Sequence, residues 1–297
     1  TNDHHTPTEI LTLTGVMAVA CGDNRSLAAT TDGAVYGWGF DGYGYIGGGG
    51  VNPKGIHSTI LQNIAAVEIG SDLFLALSAD GKVYAWGYNF FGEVGDGTTT
   101  QRTAPVLIDS SKFNNKRVVA ISAGYQHGLA LTEDGQVWAW GANSAGQLGD
   151  GTKDGKAIPT QVTGLANVKA ISGGNSFSVA LKSDGTVWAW GNINDSTTPI
   201  QVSGLSDIRA ISAGDQHCMA LGNDGKVRIW GYFLMTIYNN PQVVESLSDV
   251  TAIAAGAERC LAKTNDGKLW AWGKNTSGSL GDGTTNDSSS PVEVEFP

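Results

Sequence analysis

What this sequence has least of is charge. Lys, Arg, Asp and Glu make up 15% of its 297 residues, against roughly 25% in an ordinary soluble domain, and the balance is acidic, with a formal net charge of −10. No cluster of Lys or Arg occurs along the chain, so the attraction that dominates binding to a phosphate backbone is missing. Nucleic acid and anionic membrane surfaces are therefore not expected as partners. Long apolar runs are missing too. Stretches such as Val118–Ile121 fall far short of the roughly 18 to 20 residues a spanning helix requires, and membrane insertion is not expected. Cysteine is scarce: Cys21, Cys218 and Cys260 form neither a C-x-x-C pair nor an even set. Buried free thiols are the expectation, with the redox compartment left open. Thr1 comes without a charged-then-apolar leader, which fits either removal of a signal peptide or a piece of a longer chain.

Glycine, by contrast, is abundant at 42 residues, about twice the usual share. The chain must turn often. The stretch Val137–Thr152, VWAWGANSAGQLGDGT, raises the question of whether two closely spaced tryptophans followed by glycines mark a site or a repeated part. Aligning the chain on Asp-Gly, with Trp-Gly beginning five residues after that glycine, answers it. There are six copies, with Asp-Gly at 32, 80, 134, 184, 224 and 266, a spacing that signals a solenoid, a propeller or an array.

Each copy reads as four short strands. In the fourth, Phe177, Val179 and Leu181 alternate along one strand, Ser183-Asp184-Gly185 turns, and Val187 and Ala189 alternate with Trp188 and Trp190. Alternation on both sides of an Asp-Gly turn is a β-hairpin. VKAIS before it and TPIQVSG after it supply the flanking strands. No window of ten or more residues carries a helical stripe. VWAWG is apolar on both faces, so each sheet must be covered on both sides, which is what stacked propeller blades provide. All nine tryptophans fall on the last strand of the hairpin, six of them immediately before its glycine, and are expected to be wedges between blades.

The pattern G-x-x-H-x-x-A-L-x-x-D-G-x-V-W-A-W-G-x-N-x-x-G-Q-L-G-D-G, matched almost throughout by Gly124 to Gly151, resembles the repeat of the regulator-of-chromosome-condensation family. The resemblance covers nearly the whole chain and implies an all-β β-propeller of four-stranded blades in one domain, residues 1–297. Six copies are present, whereas the best-known members have seven blades, so six blades is the expectation and seven-bladed closure the alternative. Copies four and five lack the N-x-x-G-Q-L-G-D-G tail. The terminal stretches PTEILTLTGV and SPVEVEF both resemble the fourth strand of a unit, and one of them is expected to join the other terminal blade as a latch.

Other motifs read as structure. Gly37-x-Gly39-x-x-Gly42 opens no helix and belongs to no βαβ unit, so no cofactor is expected. The Gly-Asp-Gly-Thr segments at 95–98, 149–152 and 281–284 lack the ligand spacing of an EF-hand loop and read as turns, with no metal expected. His127 and His217 occupy one slot that other copies fill with Arg25, Leu73, Phe177 and Arg259. That is not a metal-ligand ring, and bonding to neighbouring loop carbonyls is the reading preferred. His4 and His5 lie in a polar terminus expected to be disordered. No nucleophile, base and orienting partner stand together, and no enzyme activity is expected. A catalytic site assembled from loops near a central channel is a remaining alternative.

Function is expected on one rim. The loops after the first strands and the loops after Trp-Gly emerge together, and this rim varies between copies. Its candidate residues are Asp23, Asn24, Phe40, Tyr43, Asp72, Tyr88, Phe90, Phe91, Tyr125, Gln126, His127, Asn175, Phe177, Asp215, His217, Tyr232, Phe233 and Glu258. Aromatic residues in loops anchor interfaces at low entropic cost. The expectation is a non-catalytic scaffold that binds a partner protein through these loops. The resemblance supports it, since relatives grip a small GTPase or a beta-lactamase with them, although neither partner carries over. A carbohydrate-binding or cell-surface adhesion module that takes a glycan is the alternative. Low charge and high Asn, Ser, Thr and Gly content point to a bacterial protein that is extracellular or on the cell surface.

Overall fold

The computed structural model describes residues 5–10, 12–46, 50–56 and 61–296. Six four-stranded antiparallel sheets, each built from four consecutive strands, are the blades of a β-propeller. Blade 1 is β1 (Val16–Cys21), β2 (Arg25–Thr30), β3 (Val35–Gly39) and β4 (Gly50–Gly55), and blade 2 is β5 (Ile64–Ile69), β6 (Leu73–Ser78), β7 (Val83–Gly87) and β8 (Arg102–Ile108). Blade 3 is β9 (Val118–Ala123), β10 (His127–Thr132), β11 (Val137–Gly141) and β12 (Lys156–Gln161), and blade 4 is β13 (Val168–Gly173), β14 (Phe177–Lys182), β15 (Val187–Gly191) and β16 (Ser196–Gln201). Blade 5 is β17 (Ile208–Ala213), β18 (His217–Gly222), β19 (Val227–Phe233) and β20 (Thr236–Val243). Blade 6 is β21 (Val250–Ala255), β22 (Arg259–Thr264), β23 (Leu269–Gly273) and β24 (Ser288–Glu293). A single 3₁₀ turn, Ser110–Phe113, is the one helical piece among the described residues, and none of them forms a helix long and apolar enough to cross a membrane. The chain divides into two compact units, residues 10–178 with 190–200, and residues 1–9, 179–189 and 201–297.

Each Asp-Gly turn is fixed by its own side chains. Thr30, Thr132 and Thr264 donate to Asp32, Asp134 and Asp266 at 2.5, 2.7 and 2.6 Å. The turn glycines take positive φ, for example +80° at Gly33 and +75° at Gly135, a conformation only glycine adopts freely. A side chain there would also strike backbone that leads into the next blade: Asn63 at Gly33 and Asn167 at Gly135. The Asp-Gly rim is thus held twice, by torsion and by contact.

Within the unit that holds blades 1 to 3, tryptophan joins each blade to the one before it. Trp86 donates its indole N–H to the Tyr45 carbonyl at 2.9 Å, Trp140 to Glu93 at 2.8 Å and Trp190 to Gln147 at 2.8 Å. The tail motif prepares that seat. Asn89, Asn143 and Asn275 are buried. Their side-chain oxygens accept from Val94, Leu148 and Leu280 N–H at 2.9, 2.9 and 2.8 Å, which curls the loop. Gly95 and Gly149 then lie against the rings of Trp140 and Trp190, at positive φ and with no room for a side chain. The Gly-Asp-Gly-Thr carboxylates are engaged in the same loops: Asp96 and Asp150 each accept from the N–H of Thr98 or Thr152 at 2.9 Å and from its hydroxyl at 2.7 Å.

Not every tryptophan is a wedge. Trp86, Trp140, Trp190, Trp230 and Trp272, immediately before their glycines, are buried, while Trp38 in the same position is half-buried. The first tryptophans of the VWAWG-type strands lie on the same face two residues earlier, nearer the Asp-Gly turn. Trp138 packs edge-on against Phe113, and Trp188 and Trp270 are half-buried beneath Lys182 and Lys268. The expectation that all nine are inter-blade wedges is corrected accordingly: Trp38, Trp188 and Trp270 are only half-buried, because what covers a ring depends on its position along the strand as well as on its face.

Among the described residues neither terminal stretch pairs with the other terminal blade as a latch. The first residues of SPVEVEF belong to β24, which pairs with β23 of its own blade, and the described residues of PTEILTLTGV form no strand before Val16, where β1 begins. His4 lies outside the described residues. His5 is not loose: its carbonyl accepts from Gly283 N–H at 3.1 Å and its ring lies on Gly278. Leu280 and Val294 are buried on this side of blade 6, and Pro7 packs close to Gly281.

Trp140→Ala should lower the unfolding free energy by about 3–5 kcal/mol, the range for a buried aromatic. Trp188→Ala should cost about 1 kcal/mol. Urea titration of the two variants followed by circular dichroism checks the contrast, and equal costs would remove the distinction between the two tryptophan positions.

Candidate partner-binding rim

The two families of loops that vary between copies do emerge together. In every blade the residue after Trp-Gly donates its N–H to the carbonyl of the residue before the second strand: Phe40 to Asn24, Tyr88 to Asp72, Ala142 to Gln126, Asn192 to Ser176, Tyr232 to Gln216 and Lys274 to Glu258, at 2.7 to 2.9 Å. Between blades the glycines that end the inner strands converge, and a side chain on Gly70, Gly124 or Gly214 would strike the carbonyl of Gly124, Gly174 or Gly256. That close approach accounts for glycine at this position in these copies, while Gly174 is instead covered by the Phe177 ring.

Four predicted contact residues are turned inward. His127, Phe177, His217 and Phe233 are buried, so they support the rim rather than present a surface. His127, Phe177 and His217 are the first residues of β10, β14 and β18, and their rings cover Gly124, Gly174 and Gly214. Phe233 is not in a loop, because β19 runs on into β20 through Leu234 and Met235. Tyr232 lies on the same strand, half-buried, with its hydroxyl on the Met235 sulfur.

The histidines meet side chains of the next blade, and His217 also bonds the backbone of Arg259 there, as the expected carbonyl bonding has it. His127 Nε2 lies 2.9 Å from Ser178 Oγ, whose own proton is committed to the Gln147 carbonyl at 2.8 Å. Nε2 therefore carries the ring proton. His217 Nε2 lies 3.2 Å from Cys260 Sγ in the same arrangement. The residue after each such slot faces the tryptophan across the hairpin, with Cys218 opposite Trp230 and Cys260 opposite Trp272. These two cysteines are small residues making room for a ring. All three cysteines are free. Cys218 and Cys260 are buried, which pushes their thiols well up, whereas Cys21 is exposed.

Burial pulls His127 and His217 down to about 4. A different signal comes from Glu68 on β5. Ser122 and Ser212 fill its slot in other blades and accept backbone N–H groups of the following inner strand at 3.1 and 2.9 Å. Glu68 does the same for Ala123, but its surroundings strip water from the carboxyl and push it to about 7.

The remaining predicted residues are accessible. In the unit holding blades 1 to 3, Phe40, Tyr43, Phe90, Phe91 and Tyr125 are exposed, and Asp23 and Asn24 lie beside them on the surface. Phe40 packs edge-on against Tyr43 and Phe90 against Phe91, with ring centroids 6.3 and 5.1 Å apart, and Tyr88 stacks on Phe90. Arg25 ties blade 1 to blade 2 beneath this strip. Its guanidinium bonds the carbonyls of Phe40 and Ser71 at 2.8 and 3.0 Å and the Asp72 carboxylate at 2.7 Å. Gln126 and Asn175 are half-buried in the loops of blades 3 and 4. In the other unit, Asp215 and Glu258 are half-buried, with Asp215 N–H on the Ala257 carbonyl at 3.1 Å and Glu258 paired with Lys274.

Two residues that sequence reasoning passed over belong here, Ser71 and Glu93. With Asp72, Leu73, Tyr88, Tyr125 and Gln126 they line a cleft of about 120 Å³. Glu93 stands where the third repeat has Gln147, a departure visible in the alignment of GEVGDG on GQLGDG. Among the described residues, no group of three or more His, Cys, Asp or Glu side chains could hold a metal ion.

The fold and this loop geometry define a propeller whose blades carry the Trp-Gly and Asn-Gly tail devices. Residues 1–235 match the RCC1-like domain, and residues 250–279 and 266–297 match the regulator of chromosome condensation (RCC1) repeat. The chain belongs to this family. Among curated proteins it is similar to the human E3 ubiquitin-protein ligase HERC2, 30% identical over 160 residues that cover 52% of this chain and 3% of HERC2. It is also similar to the ultraviolet-B receptor UVR8 of Arabidopsis thaliana, 29% identical over 168 residues that cover 54% of this chain and 38% of UVR8. The chain thus corresponds to a minor part of either relative. Human WBSCR16 superposes with a TM-score of 0.83 at 24% identity, covering 95% of this chain and 82% of that one. Yeast RCC1 (Prp20), crystallised with Kap60, gives 0.81 at 22%, covering 95% and 75%.

Stability should fall as the pH drops from about 6.5 to about 4, because the unfolded chain takes protons on His127 and His217 that the folded chain refuses, at a cost of roughly 3 kcal/mol per ring. Glu68 acts with the opposite sign. Its contribution is full below about 4.5 and is lost as the pH rises through about 7. Urea midpoints at pH 4, 5.5, 7 and 8 should show a flatter acid limb for His127→Gln and a flatter alkaline limb for Glu68→Ser.

Proposed function

We propose that this protein is a non-catalytic propeller scaffold that binds a partner protein through the loops of blades 1 to 3. The observation that carries the reading is the exposed aromatic strip. Between the loop-forming Asn and Gly, blade 2 has Phe90-Phe91 where blade 3 has Ser144-Ala145 and blade 6 has Thr276-Ser277. The loop closes identically in all three, so the fold does not oblige these positions to be aromatic. Exposed aromatic side chains seated on a rigid frame supply large contact area with little entropy to lose.

The relatives support an interaction role without naming a partner for this chain. Yeast Prp20 is described in complex with Kap60 and for its binding to Gsp1p and histones. The low charge and Asn-, Ser- and Thr-rich composition support an exported location. A glycan is the second reading. A cleft of about 320 Å³ between the Asp-Gly turn of blade 6 and the chain entering it favours this, since Trp270 lies there among Ser246, Ser248, Asp249, Asn265 and Asp266.

A triple variant, Phe90→Ala, Phe91→Ala and Tyr125→Ala, should fold with an unchanged melting temperature and lose a co-purifying protein retained by the wild-type chain. A glycan array run in parallel decides the alternative: a sugar signal lost in Trp270→Ala, with no protein lost in the triple variant, overturns the proposal.

A further inference from the structure

The cleft beside the aromatic strip contains a group that the fold does not use. Glu93 is buried, and one carboxylate oxygen, Oε2, accepts from Phe91 N–H at 2.8 Å. That bond is the loop's own requirement, because Gln147 Oε1 accepts from Ala145 N–H at 3.0 Å in the equivalent loop. The second oxygen, Oε1, has no hydrogen-bond partner among the described residues. A glutamine would serve the loop equally well without a carboxylate under the surface, and burial does raise this carboxyl above its ordinary range. A buried acceptor with no donor is costly, and such a cost at a rim marks a place where a donor arrives from outside.

The rest of the cleft fits one kind of donor. Tyr88 and Tyr125 stand at its lip, half-buried and exposed respectively, and offer aromatic faces. Asp72 adds a second carboxylate, already held by Arg25 at 2.7 Å, which shows that this corner seats a guanidinium. Planar guanidinium stacks on aromatic rings and pairs with carboxylates, whereas an anionic group would repel Glu93 and a neutral donor would leave its charge uncompensated. The chain's net charge of −10 favours approach of a basic surface. We propose that this cleft receives an arginine side chain of the partner protein, inserted between Tyr88 and Tyr125 to pair with Glu93. This rests on the rim reading and gives the partner a chemistry.

The test is an NMR titration of the full chain with Ac-Gly-Arg-Gly-NH₂ and with its neutral citrulline analogue. The backbone amides of Ser71, Tyr88, Tyr125 and Gln126 should shift, with the arginine peptide at least about tenfold tighter than the citrulline one, as expected when a charge-assisted pair is lost. Glu93→Gln keeps the Phe91 bond, so it should fold, and it should bring the two peptides to parity. Equal binding of both peptides by the wild-type chain, or an arginine preference that survives in Glu93→Gln, overturns the proposal. The two readings fail separately. A partner protein lost in the aromatic triple variant but retained by Glu93→Gln leaves the scaffold standing and removes the arginine site.

Discussion

From blade 1 to blade 4 the stacking of blades depends on a tryptophan reaching back to the blade before it. The indole ring brings its area, and its N–H must also find an acceptor once buried. In blades 2, 3 and 4 that acceptor is a backbone carbonyl in the preceding blade's tail loop. The tail loop exists to present that carbonyl. Its asparagine curls the backbone, its glycine clears the ring, and its Asp-Thr pair closes the turn. A repeat that looks like a string of conserved-seeming glycines is therefore a single device for seating one ring, in which each residue type answers a separate steric or hydrogen-bonding demand.

Blades 4 and 5 lack the tail, and the chain there solves the same problem more cheaply. Blade 5 extends its hairpin directly through Leu234 and Met235, both at positive φ, and Phe233 turns inward to pack on His217 with ring centroids 4.7 Å apart. The rim thus differs in kind around the chain. Blades 1 to 3 raise loops with aromatic tips over a rigid floor, and blade 5 raises a strand pair. A scaffold built from one repeat gains its specificity from such local departures, because the floor tolerates any residue that does not touch it.

Buried polar groups in the inner layer divide into those the fold satisfies and those it leaves. Ser122, Ser212 and Glu68 stitch neighbouring inner strands, and His127 and His217 each meet a small side chain of the next blade. Glu68 and Glu93 are the outliers, since each places a carboxylate where other repeats manage with a neutral group. Glu68 still has its backbone partner. Glu93 has one oxygen more than its loop needs, which is why it is read as facing a ligand rather than as part of the frame.

The sequence by itself determined the blade count, the hairpin turns and the side of each blade on which the variable loops emerge, because these follow from torsion preferences and from alternation, which are local. It also marks Glu93 by alignment with Gln147, since a carboxylate replaces an amide in the same loop position. What it could not determine was direction at the first residue of the second strand. His127, Phe177 and His217 resemble variable loop residues in the sequence, and only packing across the inter-blade gap, over a glycine with no side chain, turns them inward. The same holds for the tryptophans, whose two positions in VWAWG share a face and differ only in what covers them, and for the terminal strands, where pairing within blade 6 rather than between termini is decided by which edge lies within hydrogen-bonding reach.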